Sequence, residues 1–428
     1  MFKTLANAWK LPDLRKKMLY TVVMLLVFRL GCVLPVPYVN SEAIASWFDS
    51  STSGTMLSFF NILSGSSFSQ ATLFALSVTP YITASIVMQL LAIAIPALER
   101  LSKEGEEGKK KITQITRYVT VALALLTSYG YYMTLRNNGL LADRSFFAGV
   151  VIVACHCAGA ALIMWMGEKI NENGIGNGIS MILFANIISS MPSMIFSIGA
   201  GISGGITMAA LYIGIVVLLV VMVGFIVFMT NSERRIPVQY AKKVVGRKMY
   251  GGQSTFLPIK LDMAGVMPVI FANSILMLPS TIAMFFPAAK EGTFWHGFLQ
   301  FFSISSIWYA LILLVLIVAF NYFYLSISFN PVEVANNLQK NGGFIPGVRP
   351  GRPTSDFIKR SMKKVTLIGA FFLALVAILP MAVNSFGISL GAFSFGGTSM
   401  LILCGVILET TRQLESQITM RHYKGFLD

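Results

Sequence analysis

The sequence predicts an all-α polytopic membrane protein that crosses the bilayer ten times. Three observations carry that prediction: little charge, ten long apolar stretches, and Lys and Arg gathered on one side. Of 428 residues, 55% are hydrophobic and only 12% are charged. Soluble domains carry about 25% charged residues. Mean hydropathy is +0.71. A soluble core of this size would need a far more polar surface, so lipid is the solvent that fits.

A spanning helix needs about 20 mostly apolar residues. The qualifying stretches are roughly 18–38, 74–95, 115–135, 148–167, 179–199, 206–229, 264–286, 305–329, 364–383 and 396–412. The segment Met1 to Lys17 is basic and precedes an apolar run, as in a secretory signal. A signal's apolar region is about 7–15 residues and ends at a small-residue cleavage site. Here the run from Met18 to Leu34 is longer and meets Pro35 and Pro37. It reads as an uncleaved first span. Residues 56–72, MLSFFNILSGSSFSQAT, are too short and too rich in Ser and Gly to cross. Two readings stand: a re-entrant half-helix sheltered by protein, or a surface loop with a few buried apolar contacts.

Ten spans place the loops alternately on two sides. Of the 33 Lys and Arg residues, 29 fall on the side of the termini. Arg136, Arg144 and Lys290 fall on the other, and Arg29 lies inside span one. The positive-inside rule makes the basic side cytoplasmic. Ten spans also divide into five plus five, which permits an inverted repeat. The two halves show no convincing sequence match.

Ion-coupled transporters need ionisable groups in the membrane. Here Arg29 is the only clearly internal charge, and Glu409 and Arg412 lie near the end of span ten. Gln89, Asn273 and Asn384 are polar but neutral. That weighs against a secondary transporter, the main rival class. Gly174–Ser180, GIGNGIS, lacks the Lys of a phosphate-binding loop and no strand precedes it. It reads as a tight turn into span five. His156, His296 and His422 sit with no nucleophile–base arrangement. Cys32, Cys155, Cys157 and Cys404 lie in apolar stretches. Neighbours on a helix point about 100° apart, so Cys155, His156 and Cys157 do not converge on a metal. No catalytic residue, metal or cofactor is expected, and any energy must come from a partner.

Two loops on the basic side exceed what a connector needs. In 231–262, RRIPVQYAKKVV interleaves apolar and basic positions as a hairpin does. In 330–363, FIPGVRPGRPTSDFIKR forms a Gly- and Pro-rich turn presenting Arg349 and Arg352. Anionic lipid headgroups account for part of this charge. Structured loops of this length also suit ribosomal RNA phosphates or an acidic patch on a motor protein.

Several stretches together resemble the SecY family, the central subunit of the Sec protein-conducting channel. They are TPYITASIVMQLL (79–91), EGEEGKKKITQITRY (104–118), NGIGNGISMILFA (173–185), RRIPVQYAKK (234–243), QSTFLPIKLDMAGVMPVIFA (253–272), FNPVEVANNLQKNGGFIPGVRPG (329–351) and FGGTSMLI (395–402). The resemblance covers essentially the whole chain, and the bacterial form fits best. It implies two inverted five-helix halves, 1–200 and 201–428, around an hourglass pore with a short plug helix at about 58–70. The implied pore ring is Ile82, Ile86, Ile179, Leu183, Ile270 and Ile402. Leu183 stands where the family commonly has isoleucine, a change that keeps the volume. Ile82 and Ile86, like Ile179 and Leu183, are i, i+4 pairs sharing a helix face. Without the resemblance they would be ordinary span residues.

The implied plug comprises Phe60, Asn61, Ile62, Leu63, Ser64, Gly65 and Ser66. Gln89 and Asn273 would line a lateral gate between spans two/three and seven/eight. Arg235, Arg247, Lys248 and Arg349 match positions that engage the motor or ribosome. Implied partners are SecE- and SecG-type membrane subunits, the SecA motor ATPase, the ribosome through its RNA and proteins, signal peptides, nascent or unfolded polypeptides, and anionic lipids. The implied place is the bacterial inner membrane with both termini cytoplasmic. A pore-free insertion scaffold is the third class, which conductance after removal of 58–70 separates. Arg29 has three readings: it snorkels, pairs with a neighbouring polar group, or binds a partner subunit.

Overall fold

Helix dominates wherever the sequence is apolar. The computed structural model describes residues 2–51, 56–192, 195–196, 199, 206–240, 243–245, 248–250, 254–283, 285, 294–303, 306–385 and 397–424. Its helices in chain order are α1 (Phe2–Lys10), α2 (Pro12–Gly31), α3 (Ser41–Ser51), α4 (Met56–Leu63), α5 (Thr79–Ala94), α6 (Pro96–Lys103), α7 (Glu106–Asn137), α8 (Phe146–Asn173), α9 (Gly178–Ser189), α10 (Ile206–Asn231), α11 (Met267–Ala283), α12 (Phe294–Phe301), α13 (Ile307–Ser328), α14 (Pro331–Lys340), α15 (Arg352–Ser385) and α16 (Gly397–Lys424). The strands are β1 (Glu233–Tyr240), β2 (Lys243–Val245), β3 (Lys248–Tyr250), β4 (Ser254–Lys260) and β5 (Gly343–Phe344).

Among the described residues, four helical segments are long and apolar enough to cross a bilayer: Phe146–Asn173, Tyr212–Asn231, Ile307–Lys340 and Arg352–Met381. The α5–α6 pair makes a fifth if it is one span, bent by 101°. Pro96 explains the bend. It pushes Ile95 into an extended conformation, φ −106° and ψ 113°, and then starts α6 as its first residue.

Each of the ten predicted stretches contains a helix, with shifted ends. Span one was expected at 18–38; α2 runs from Pro12 to Gly31. Pro12 presets the first turn, and Pro35 and Pro37 lie beyond the end. Span two was expected from 74; α5 begins at Thr79. Ser77 before it is left-handed, φ 50°, a conformation that no helix can use. Helix α9 has only 12 residues and α11 has 17.

The chain folds as two compact units. The first holds Met1–Ile213, Asn273–Ala310 and Pro380–Asp428. Its backbones approach closely where glycine removes the side chain. A Cβ on Gly159 of α8 would lie 2.0 Å from the Leu73 carbonyl oxygen. A Cβ on Gly178 would meet the Gly167 carbonyl oxygen at the same distance. Gly31 of α2 leaves room for Phe74, which stacks on Phe28 at 5.6 Å. Phe48, Phe60, Phe68 and Tyr131 form a chain of ring contacts in a buried cluster with Val36, Ile44 and Ile152.

GIGNGIS is the tight turn that the sequence predicted. Asn177 caps α9 by accepting from the amides of Ile179 and Ser180. Ile175 donates to Thr21 Oγ1, Gly176 to Gln413 Oε1 and Gly178 to Asn171 Oδ1. These five amides are spent on the protein's own side chains, which leaves them no capacity for a phosphate.

The second unit holds Gly214–Ala272 and Leu311–Leu379. The predicted hairpin is present and longer than its signal. Strands β1 and β4 pair antiparallel, Glu233 opposite Lys260 through Gln239 opposite Ser254. Strands β2 and β3 keep the same register, Lys243 opposite Tyr250. Strand β5 adds to β1 at Gln239 and Tyr240, giving the order β4-β1-β5. Period-two alternation sends Ile236 and Val238 into a core with Ile259, Ile345, Ile358 and Met362. The opposite face carries Arg235 and Phe256.

The glycine contacts generate a test. Gly159→Ala should destabilise the folded protein by about 1–3 kcal/mol, the usual effect of overpacking. Gly214→Ala, where nothing lies within 4 Å, should not. Thermal unfolding in detergent, compared between the two variants, checks this; equal melting curves would refute the close approach of α8 to Leu73.

Candidate functional site

Helices α5 and α9 carry the same pattern on one face. Ile82, Ile86 and Gln89 stand at i, i+4, i+7 in α5, and Ile179, Leu183 and Asn186 do so in α9. That spacing stacks all three side chains on one stripe. Ile82, Ile86 and Leu183 are buried, as is Ile402 on α16, which packs against α9. Ile179 is half-buried, its Cδ1 lying over Gly167 of α8. Ile270 is half-buried and belongs to the second unit.

Between α4 and α5 the chain makes no helix. Residues 64–78 fold as consecutive turns, and most of them are buried. Gly65, Ser66, Ala71 and Ser77 adopt φ of 61°, 70°, 47° and 50°. For the three non-glycine residues that conformation costs about 1–2 kcal/mol each. The segment is held by hydrogen bonds that compensate. Asn61 Oδ1 accepts from the Ser69 amide at 3.0 Å. Tyr131 of α7 donates to the Phe68 carbonyl at 2.6 Å.

Asn186 makes the tightest junction. Its Nδ2 donates to the Leu63 carbonyl at 2.7 Å and to Ser77 Oγ at 3.0 Å. Ser77 Oγ also donates to the Leu63 carbonyl, at 3.2 Å. Arg29 Nη1 donates to Asn186 Oδ1 at 3.2 Å. Asn186 is fully buried. The end of α4, the start of α5, α9 and α2 therefore meet at one amide. Of the three readings of Arg29, the structure selects pairing with a neighbouring polar group. The sequence reading missed Asn186, Ser77 and Tyr131. The i+7 offset of Asn186 from Ile179 is the signal that could have found it.

Asn273 is buried on α11, and its Oδ1 accepts from Tyr309 Oη of α13 at 3.2 Å. Tyr309 was also missed. Gln89 is half-buried and its Nε2 lies 3.4 Å from Ser85 Oγ on the preceding turn. Among the described residues, no three His, Cys, Asp or Glu side chains converge as a metal site would require.

In the second unit Arg235 is exposed, pairs with Glu233 at 2.7 Å and lies 4.8 Å over the Phe256 ring. Lys248 falls in β3, and Arg247 lies outside the described residues. Arg349 is exposed on a turn between β5 and α15. Gly347 and Gly351 in that turn have φ of 82° and 95°. The Thr354 hydroxyl donates to the Arg349 carbonyl at 2.8 Å, and the Val348 amide to the Ile345 carbonyl at 3.0 Å. The backbone under Arg349 is thus fixed, while its side chain is free of the surface core.

The family model described as SecY matches residues 72–411. A protein translocase subunit SecY from Streptomyces griseus is 43% identical over 441 residues, covering 100% of both chains. A solved structure described as that of a protein conducting channel superposes with a TM-score of 0.66 at 16% identity, over 94% of this chain and 92% of the other. Sec61 in the canine ribosome-channel complex from the endoplasmic reticulum gives 0.62 at 14% identity, over 94% and 92%. At those identities the structural likeness is one of fold.

The Thr354 contact predicts local order. Thr354→Val removes one hydrogen bond, so amide exchange across 347–352 should quicken about fivefold, equivalent to about 1 kcal/mol. Exchange measured by mass spectrometry checks it; an unchanged rate means that the turn is held by something else.

Proposed function

This chain belongs to the SecY family, and from that premise we propose that it is the channel-forming subunit of a Sec translocase. It acts as a passive, gated conduit for unfolded polypeptides, without an ATPase site of its own. The observation that carries this reading is the short helix α4 with the turns 64–78, a non-spanning segment folded back inside the protein. Irregular backbone at membrane depth is tolerated only where protein shelters it or where it lines a cavity. A plug meets that condition. A loop facing lipid does not.

Ten helices in two inverted halves, 1–200 and 201–428, surround an hourglass pore in this reading. Ile82, Ile86, Ile179, Leu183, Ile270 and Ile402 form its constriction, which resists continuous water and ions but yields to a peptide. Phe60 to Ser66 seal it at rest. Gln89 on α5 and Asn273 on α11 line the lateral gate. Through it, segments of about 20 apolar residues leave for lipid. Arg235, Arg247, Lys248 and Arg349 dock the SecA-type motor or the ribosome, and SecE- and SecG-type subunits clamp the assembly. Both termini are cytoplasmic and the membrane is the bacterial inner one, where the basic loops also meet anionic lipids.

Reconstitution with the motor, ATP and a signal-bearing precursor tests the whole reading. Precursor protected inside the vesicles is expected; none, with active controls, would sink it. Arg349→Glu should slow motor-driven translocation at least about tenfold, as reversal of a docking charge does, while assembly stays intact. Ile86→Ser and Ile270→Gly should raise resting ion leakage in planar bilayers. An unchanged conductance removes those residues from the constriction.

A further inference from the structure

We propose that Asn186, oriented by Arg29, is a latch that holds the plug segment shut by donating to the Leu63 carbonyl. This rests on the channel reading above and assigns the closed-state bias to named atoms. Leu63 is the last residue of α4. The terminal carbonyls of a helix have no partner within it and carry the negative end of its dipole. The amides that follow satisfy the neighbours of Leu63: Ser64 donates to Phe60, Gly65 to Ile62 and Ser66 to Asn61. The Leu63 carbonyl instead accepts from Asn186 Nδ2 and Ser77 Oγ. Its donors therefore belong to α9, which carries part of the proposed ring, and to the turn that leads into α5.

Arg29 fixes which way the Asn186 amide points. An amide can present either its oxygen or its NH2 group to a carbonyl. A guanidinium only donates, so it captures Oδ1 and turns Nδ2 toward Leu63. Among the described residues Arg29 has no carboxylate partner. Its charge lies instead beside the negative end of α4 and next to Gly65. A Cβ on Gly65 would come within 2.8 Å of both Arg29 Nη1 and Ser189 Oγ. Glycine is what admits the turn to this corner.

The same segment carries strain that favours its release. Ser66, Ala71 and Ser77 are left-handed without being glycine. Such conformations persist only where surrounding structure over-determines them. The latch and the strain together make a two-state element: closed while Asn186 donates, open when the turns relax. The hydrogen bonds at the Leu63 carbonyl are what tie the end of α4 to α9, so breaking them frees that end, while Tyr131 still holds the later turns at the Phe68 carbonyl.

The test compares Asn186→Ala and Asn186→Asp in the complex with its partner subunits, reconstituted in planar bilayers and in vesicles. Asn186→Ala removes both arms of the latch. Asn186→Asp keeps an acceptor for Arg29 but has no NH2 group for Leu63. Both should raise resting conductance about tenfold, the population shift that matches loss of a hydrogen bond within a charged network. Both should also pass precursors with defective signals more readily, while translocation of normal precursor continues. Gly214→Ala should leave the leak at the wild-type level. Wild-type leak in both Asn186 variants, with normal translocation, overturns the latch. If Asn186→Ala does not assemble, the near-isosteric Asn186→Asp decides alone. Failure of the wild-type complex to translocate at all would count against the channel reading, not the latch.

Discussion

A backbone carbonyl away from water must find a donor, and the first unit is organised around two that take side-chain donors from other helices, one at the end of α4 and one in the turns after it. The Leu63 carbonyl takes Asn186 and Ser77, and the Phe68 carbonyl takes Tyr131. Leaving the Leu63 carbonyl unmet costs about 1–3 kcal/mol; the Phe68 carbonyl also takes the Ala71 amide, at 3.3 Å. Lipid supplies no donor, so at Leu63 side chains of the protein must do so. This demand places a fully buried amide on α9, where an apolar residue would otherwise pack. It also explains why α8 needs Gly159: the turns that expose these carbonyls bring the Leu73 backbone against that helix.

Helix α2 meets the same constraint from the side of charge. An Arg at the centre of a spanning helix is disfavoured by about 2.5–3.5 kcal/mol on insertion scales, and Arg29, in the last turn of α2, carries some part of that cost. Arg29 offsets part of this through Asn186 Oδ1 and through the end of α4. Carbonyl acceptors hold a cation without neutralising it. A carboxylate there would pair more strongly with Arg29 but would offer the Leu63 carbonyl no donor, so the contact that joins α9 to the end of α4 would be lost. The neutral amide keeps the junction specific in geometry and moderate in strength, which suits the moving plug proposed above.

The large features were legible in the sequence because they follow from composition. Apolar stretches located a helix in each of ten places, and β-branched residues alternating with Arg and Lys located the hairpin. The GIGNGIS turn was legible because Asn before a helix and Gly before Asn are capping chemistry. Helix ends were less so. The start of α5 at Thr79 depends on left-handed Ser77, and serine gives no sequence sign of that conformation. The junction at Asn186 was not legible at all. It joins residues 29, 63, 77 and 186, and their proximity exists only once α2, α4, α5 and α9 are packed. The i+7 offset puts Asn186 on the stripe of Ile179 and Leu183 but says nothing of its partners, whereas Arg29 could at least be flagged as an expensive residue in need of one.

Basic residues therefore do two different kinds of work in this chain. Those outside the spans act in number, where position matters little and the sum sets orientation. In the proposed function Arg349 and Arg235 act singly, and the backbone beneath each is fixed. A helix-capped turn with left-handed glycines holds Arg349, and a paired strand holds Arg235 beside Glu233 and Phe256. Arg29 is the limiting case: one guanidinium, one amide oxygen, one orientation. Charge that merely orients a protein can be moved along a loop at no loss. Charge that selects which end of an amide faces a carbonyl cannot, since even Lys, a rotating point charge without the planar fork, would leave the Asn186 amide less firmly aimed.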